Sequence, residues 1–213
     1  MTRFAAVSFF GLALTVAGCS TLGGPADHYS VLAPAYTPPP GPTTPASVAW
    51  ELAIGTPAAS HALDSTRVFV MTAPGVLETL PGVRWSDPAP DLLQRLVIDA
   101  FRGSGRITGV GASSTMLHAD FALALDVQRF DLDTSGGAPQ ASIAIHVAIE
   151  DLATNRVVAS RAFAANAPAV GTTGTAPLAA FETALAHLLP EVVDWTLATG
   201  DAERTHRSAA PRP

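Results

Sequence analysis

Apolar and polar residues change period several times along this chain, and each change marks an element. Val48, Trp50, Leu52 and Ile54 alternate with Ala49, Glu51 and Ala53, the period-two signature of a strand with one buried face. Pro57 and the polar stretch to Ser65 end it. Arg67 to Met71 reads as a second short strand stopped by the Pro74-Gly75 turn, and Val76 to Trp85 as a third, interrupted at Pro81-Gly82. The period then lengthens. Leu92, Leu93, Leu96, Val97, Ala100 and Phe101 fall on one helical face opposite Gln94, Arg95 and Arg102, with Asp87 as N-cap, Pro88 at the first helical position and Gly103 as the stop. Phe121, Leu123, Leu125 and Val127 return to alternation. The phase slips by Phe130 and Leu132, which predicts a bulge near Arg129. Ser135-Gly136-Gly137 turns the chain into a strand carrying Ile143, Ile145, Val147 and Ile149, and Thr154-Asn155 turns it again into Arg156 to Phe163. From near Thr175, Leu178, Phe181, Leu185, Leu188, Val192 and Trp195 form one helical stripe, with Pro190 predicted to kink it.

Strands, helix, strands, helix is the order of an α+β domain: a single, mostly antiparallel sheet with two helices packed on one face. The domain is predicted to span 48–200, with a disordered tail at 201–213. Before it, residues 19–47 carry prolines at 34, 38, 39, 40, 42 and 45 among Ala, Thr and Gly, a composition that favours extended polyproline geometry and a tether. Within that tether, His28 to Leu32 reads as a short strand able to dock on the domain.

The first 18 residues have another character. Arg3 precedes an apolar run from Phe4 to Leu14, and the small residues Ala17 and Gly18 follow. That order is a secretory signal, and the run is too short to span a bilayer. Cys19, the one cysteine in the chain, stands immediately after it, and Val16-Ala17-Gly18-Cys19 resembles a bacterial lipobox. The resemblance implies cleavage before Cys19 and acylation of its sulfur and amine, and three acyl chains make an effectively permanent anchor. Ser20 stands where an inner-membrane retention signal would have Asp, which by the same resemblance implies the outer membrane, with the domain facing the periplasm. An acylated Cys19 leaves no thiol for a disulfide.

Charge and candidate chemistry change this picture little. The 12 basic residues, all arginine, face 18 acidic ones, a dispersed negative balance that argues against a clustered nucleic-acid face and against a second, electrostatic attachment to anionic lipid. The six histidines have no metal-ligand spacing, and His146 and His187 read as solvated or packed. Serines lack a nucleophile-elbow pattern. Glycines 103, 105, 109 and 111 follow a helix rather than open one, Thr108 breaks the phosphate-loop pattern, and no lysine completes it. Asp131 and Asp133 sit at a hairpin end and call for no more than solvation. No catalytic, cofactor or metal site is therefore assigned. Arg84-Trp85 is different: a large aromatic follows an irregular strand just before a capped helix, and Trp85 either packs at the sheet edge or serves a partner.

Several stretches together resemble a known family. Leu63-Asp64-Ser65-Thr66-Arg67-Val68, Gly82-Val83-Arg84-Trp85-Ser86-Asp87-Pro88, Ser104-Gly105-Arg106, Arg156 to Arg161, the helix ending in Trp195, the lipobox and the Tyr29 segment are similar to the auxiliary lipoproteins of ABC-type transporters. These accompany substrate-binding subunits of the mammalian-cell-entry (MCE) class and include the lipoprotein of the paraquat-inducible operon. The likeness covers roughly residues 27 to 199. Leu77-Glu78-Thr79-Leu80 departs from the aromatics common there, so contacts made by those aromatics do not carry over. The resemblance implies a non-enzymatic outer-membrane lipoprotein serving transport of lipids or other hydrophobic compounds, with an MCE-class subunit as partner; Tyr29, Arg84 and Trp85 are the candidate interface. Homo-oligomers are compatible with it. The competing reading is a structural or assembly lipoprotein that tethers another periplasmic complex.

Overall fold

The computed structural model describes residues 29–38, 47–116 and 118–209 of the chain. The lipobox at Cys19, His28, prolines 39 to 45 and the last four positions lie outside them. The elements are β1 (Ser30–Leu32), β2 (Val48–Ile54), β3 (Ala58–Ala59), β4 (Arg67–Ala73), β5 (Val76–Trp85), α1 (Ala89–Ser104), β6 (Ile107–Ala112), β7 (Phe121–Asp133), β8 (Gln140–Asp151), β9 (Arg156–Pro168) and α2 (Leu178–Ala209).

Strand β7 organises the sheet. One edge pairs antiparallel with β8 along its whole length, and β9 pairs antiparallel with β8 beyond it. The other edge of β7 takes three partners in succession, all parallel: Leu52–Ile54 of β2 beside Phe121–Leu123, Ala58–Ala59 of β3 beside Asp126–Val127, and Phe69–Met71 of β4 beside Asp131–Asp133. β6 pairs parallel with β2, and β1 pairs parallel with β5. The sheet is thus mixed, which corrects the mostly antiparallel expectation. The hairpins are local and antiparallel as the turns predict, with φ of 77° at Gly75, 92° at Gly137 and 52° at Asn155. The parallel ladders of β2, β3 and β4 with β7 and of β2 with β6 join segments separated by the α1 crossover, and β1 reaches β5 across a long connection as well; parallel pairing needs such connections. The bulge near Arg129 is present: Val127 faces Ile145 and Arg129 faces Ala144, leaving Gln128 extra. It returns Phe130 and Leu132 to the buried face that Leu123, Leu125 and Val127 share.

Both helices close that face, their buried sides merging with the strands into one apolar cluster. α1 starts one residue later than the capping pattern predicts, because Pro88 at ψ 142° occupies the cap position and offers no side-chain acceptor. Asp87 instead accepts hydrogen bonds from Arg95 and Ser86. Gly103 lies inside the helix, against the Pro38 ring; the stop is Gly105, left-handed at φ 63°. Ile107–Ala112, read in sequence only as spaced glycines, is β6, where Gly109 leaves room for the Glu51 side chain of β2.

Two boundaries move outward. Part of the predicted tether belongs to the fold: Leu32 is buried, the Ala35 amide donates to Glu182 at 3.2 Å, and Tyr36 packs against the core. Burial, and then the negative charge of Asp194, push the Tyr36 phenol up. Helix α2 continues through Pro190 and past Gly200 to Ala209, where a disordered tail was expected. The reason is contact. Trp50 lies on Gly200, its indole N–H donates to Asp201 at 2.8 Å, and Arg204 and Arg207 reach Asp120 and the buried Asp151 at 3.3 and 3.1 Å. Gly200 is therefore a close-approach residue rather than a terminator. A Cβ there would stand 2.5 Å from the Trp50 ring. Gly200→Ala is expected to destabilise by about 1–2 kcal/mol in a denaturant titration, since the overpacking cost exceeds the helical gain of alanine. A more stable variant would show that Trp50 does not rest there.

Candidate functional site

The sequence-predicted interface residues meet at the β1 end of the sheet, and strand alternation separates them. Trp85 turns inward; its ring lies 4.9 Å from that of Phe181 and 5.2 Å from that of Phe130, and it is 2% exposed. It is a core residue, and the docking role held open for it is corrected. Arg84, one position earlier, points to the other face. Its guanidinium stands 5.0 Å from the centre of the Tyr29 ring, which is half exposed. An exposed cation–π contact of this kind is worth about 0.5–1 kcal/mol.

A bulge brings a third residue to the pair. After one irregularity beside the Pro74-Gly75 turn, the β4–β5 ladder runs in register, with Met71 opposite Leu77, Val70 opposite Glu78 and Phe69 opposite Thr79. Continued unchanged, it would set Arg67 opposite Pro81. Instead Leu80 to Val83 bow out from the ladder, with Gly82 at φ 73°, and Arg67 pairs with Arg84. The bow opens a cleft of about 390 Å³ bounded by Tyr29, Arg67, Thr79, Pro81, Gly82 and Arg84. Neither arginine has a carboxylate partner among the described residues. Like charges placed directly across a ladder repel. The cleft is thus a place where an anion would be welcome. Arg67 was read in sequence only as the start of a strand, and no local signal announces its pairing, because the length of the bow sets it.

Several other charged groups pair with one another. Arg129 donates to Asp131 at 3.1 and 2.6 Å in a two-pronged contact and to Asp133 at 2.9 Å. Asp131 is buried, so this pair of carboxylates needs more than the solvation expected of it. The Ser135 hydroxyl, then Arg129, hold the Asp133 carboxyl below its ordinary range, and Asp131 and Asp133 hold the Arg129 guanidinium high. A depressed carboxyl adds stability above its unfolded value and loses it as pH falls through the folded one. Among the described residues, no group of three or more His, Cys, Asp or Glu is placed to hold a metal ion. His146 is half exposed and His187 exposed.

Two solved structures share this arrangement of elements. Protein XCC0632 from Xanthomonas campestris, of known crystal structure, is 37% identical and superposes with a TM-score of 0.76 over 83% of this chain and 99% of its own. A second crystal structure, of an uncharacterized protein, shares the fold at 13% identity, with a TM-score of 0.60 over 79% of this chain and 99% of its own. The uncharacterized protein bll6063 of Bradyrhizobium diazoefficiens is 30% identical over 180 residues, 82% of this chain and 46% of that protein, so the chain spans about half the length of this curated relative. The model of the ABC-type transport auxiliary lipoprotein component family matches residues 29–193, from the tyrosine at the cleft to the middle of α2, and the chain belongs to that family.

Proposed function

We propose that this chain is a non-catalytic accessory subunit of an ABC-type transport system, held at the periplasmic face of the outer membrane through acylated Cys19. It serves an MCE-class substrate-binding subunit in moving lipids or other hydrophobic compounds across the envelope. The family match over residues 29–193 carries the reading. The described domain is consistent with it in a second way: the buried carboxylates Asp131 and Asp151 are held in ion pairs, and the cleft at Tyr29, Arg67 and Arg84 is bordered by unpaired arginines that suit binding. The cleft at Tyr29, Arg67 and Arg84 is the proposed binding site of the domain.

The test is co-purification from detergent-solubilised envelopes. Wild-type protein is expected to retain the MCE-class subunit and to incorporate radioactive palmitate. Cys19→Ser is expected to lose the label and remain uncut, because the peptidase acts on the lipid-modified cysteine. Label on the Cys19→Ser protein equal to wild type would refute the anchor. Labelled wild-type protein that retains no transporter subunit would favour the structural-tether reading.

A further inference from the structure

We propose that the cleft between Tyr29, Arg67 and Arg84 binds the phosphate of a phospholipid headgroup in the leaflet that holds the acyl anchor. The inference rests on the lipoprotein reading of Cys19 and adds to it a second, non-covalent membrane contact.

Three observations converge. The first is the paired charge: Arg67 and Arg84 face each other across the β4–β5 ladder without a carboxylate partner among the described residues. An anion set between them turns repulsion into two charge-assisted contacts, and the planar guanidinium fork suits phosphate oxygens. The second is the rim. Tyr29 and Val31 are 52% and 57% exposed, and Val31 lies beside Arg84 in the β1–β5 ladder. An exposed tyrosine and valine bordering two arginines give the mixed apolar and cationic edge that suits the headgroup boundary. The third is chain length. Residues 20–28 are all that lies between Cys19 and Tyr29. However that segment runs, it holds Tyr29 within about 35 Å of the anchored sulfur. A second cleft, of about 270 Å³, has a mixed lining in which Arg156 and His206 stand beside Asp151 and Glu203, and its two carboxylates would repel a phosphate. Charge alone would also suit an acidic peptide. The short connection to the anchor favours lipid.

The experiment uses the mature protein in dodecyl maltoside micelles. Its mass reports the acyl chains first, so failure of the anchor reading is seen apart from failure of the cleft; an unacylated mature chain would overturn the membrane placement. Calorimetric titration then compares dihexanoyl-phosphatidylglycerol, dihexanoylglycerol, inorganic phosphate and a hexaglutamate peptide. The phosphatidylglycerol is expected to bind saturably. Arg67→Gln and Arg84→Gln should each weaken it roughly tenfold or more, the loss of one contact to a charged group. Neither should lower the melting temperature, because each also relieves a like-charge pair. Unchanged binding by the double variant would overturn the proposal, as would equal binding of the phosphate-free dihexanoylglycerol. Inorganic phosphate binding as tightly would reduce the cleft to a general anion site, and tighter binding of hexaglutamate would assign it to an acidic protein segment; either result also overturns the lipid proposal.

Discussion

Leu185→Asp is expected to leave no cooperatively folded domain. Leu185 is fully buried in the N-terminal part of α2, and Phe181, Leu188 and Leu189 around it are buried as well. A carboxylate placed there must either remain charged without water or take up a proton and still lack a partner, at a cost of several kcal/mol. Domains of this kind have about 5–15 kcal/mol of stability in all, and the lost packing adds to the loss. Leu185→Ala separates the two contributions. It should cost about 2–5 kcal/mol and still unfold in one transition. Circular dichroism with urea titration reads both variants. A soluble Asp variant that unfolds cooperatively within about 2 kcal/mol of wild type would mean that the stripe faces outward.

Trp85→Ala is expected to cost about 3–5 kcal/mol, the usual penalty for emptying a large aromatic site in a core. The ring meets Phe181 edge-on at an interplanar angle of 85° and touches Phe130, joining β5, β7 and α2. Its indole nitrogen has no hydrogen-bond partner among the described residues, so Trp85→Phe gives up little beyond volume and should cost far less than the alanine. The contrast with Tyr29→Ala is the informative one. Tyr29 is half exposed and should leave the urea midpoint nearly unchanged while weakening whatever occupies the cleft. A Trp85→Ala protein as stable as wild type but unable to bind a partner would return Trp85 to the surface role considered from its sequence neighbourhood.

That neighbourhood shows how far sequence reading reaches. Val83, Arg84 and Trp85 alternate buried, half-buried, buried, as a strand should, which decides for packing where the sequence left Trp85 between the sheet edge and a partner. The pairing of Arg84 was not legible in the same way. It depends on the bow at Leu80 to Val83, and the three-residue offset there is set by how β5 must reach both β1 and β4. The same limit explains the glycines. Gly103, Gly109 and Gly200 look like terminators or loop residues in one dimension. In three they are the places where Pro38, Glu51 and Trp50 approach too closely for a Cβ.

The sequence by itself determined whatever depends on neighbours a few positions apart: the buried stripes of both helices, the bulge near Arg129, the hairpin turns at Gly75, Gly137 and Asn155, and the α+β class. Periodicity encodes these because burial recurs every second residue in a strand and every three or four in a helix. Only the tertiary structure decided which strands run parallel along β7, that the short strand foreseen in the tether pairs parallel with β5, that α2 runs on past Gly200, and that Arg67 stands opposite Arg84. Each of these rests on contacts between segments far apart in the chain. Their free energy comes from burying surfaces against each other, and no local pattern records which surface a segment will find.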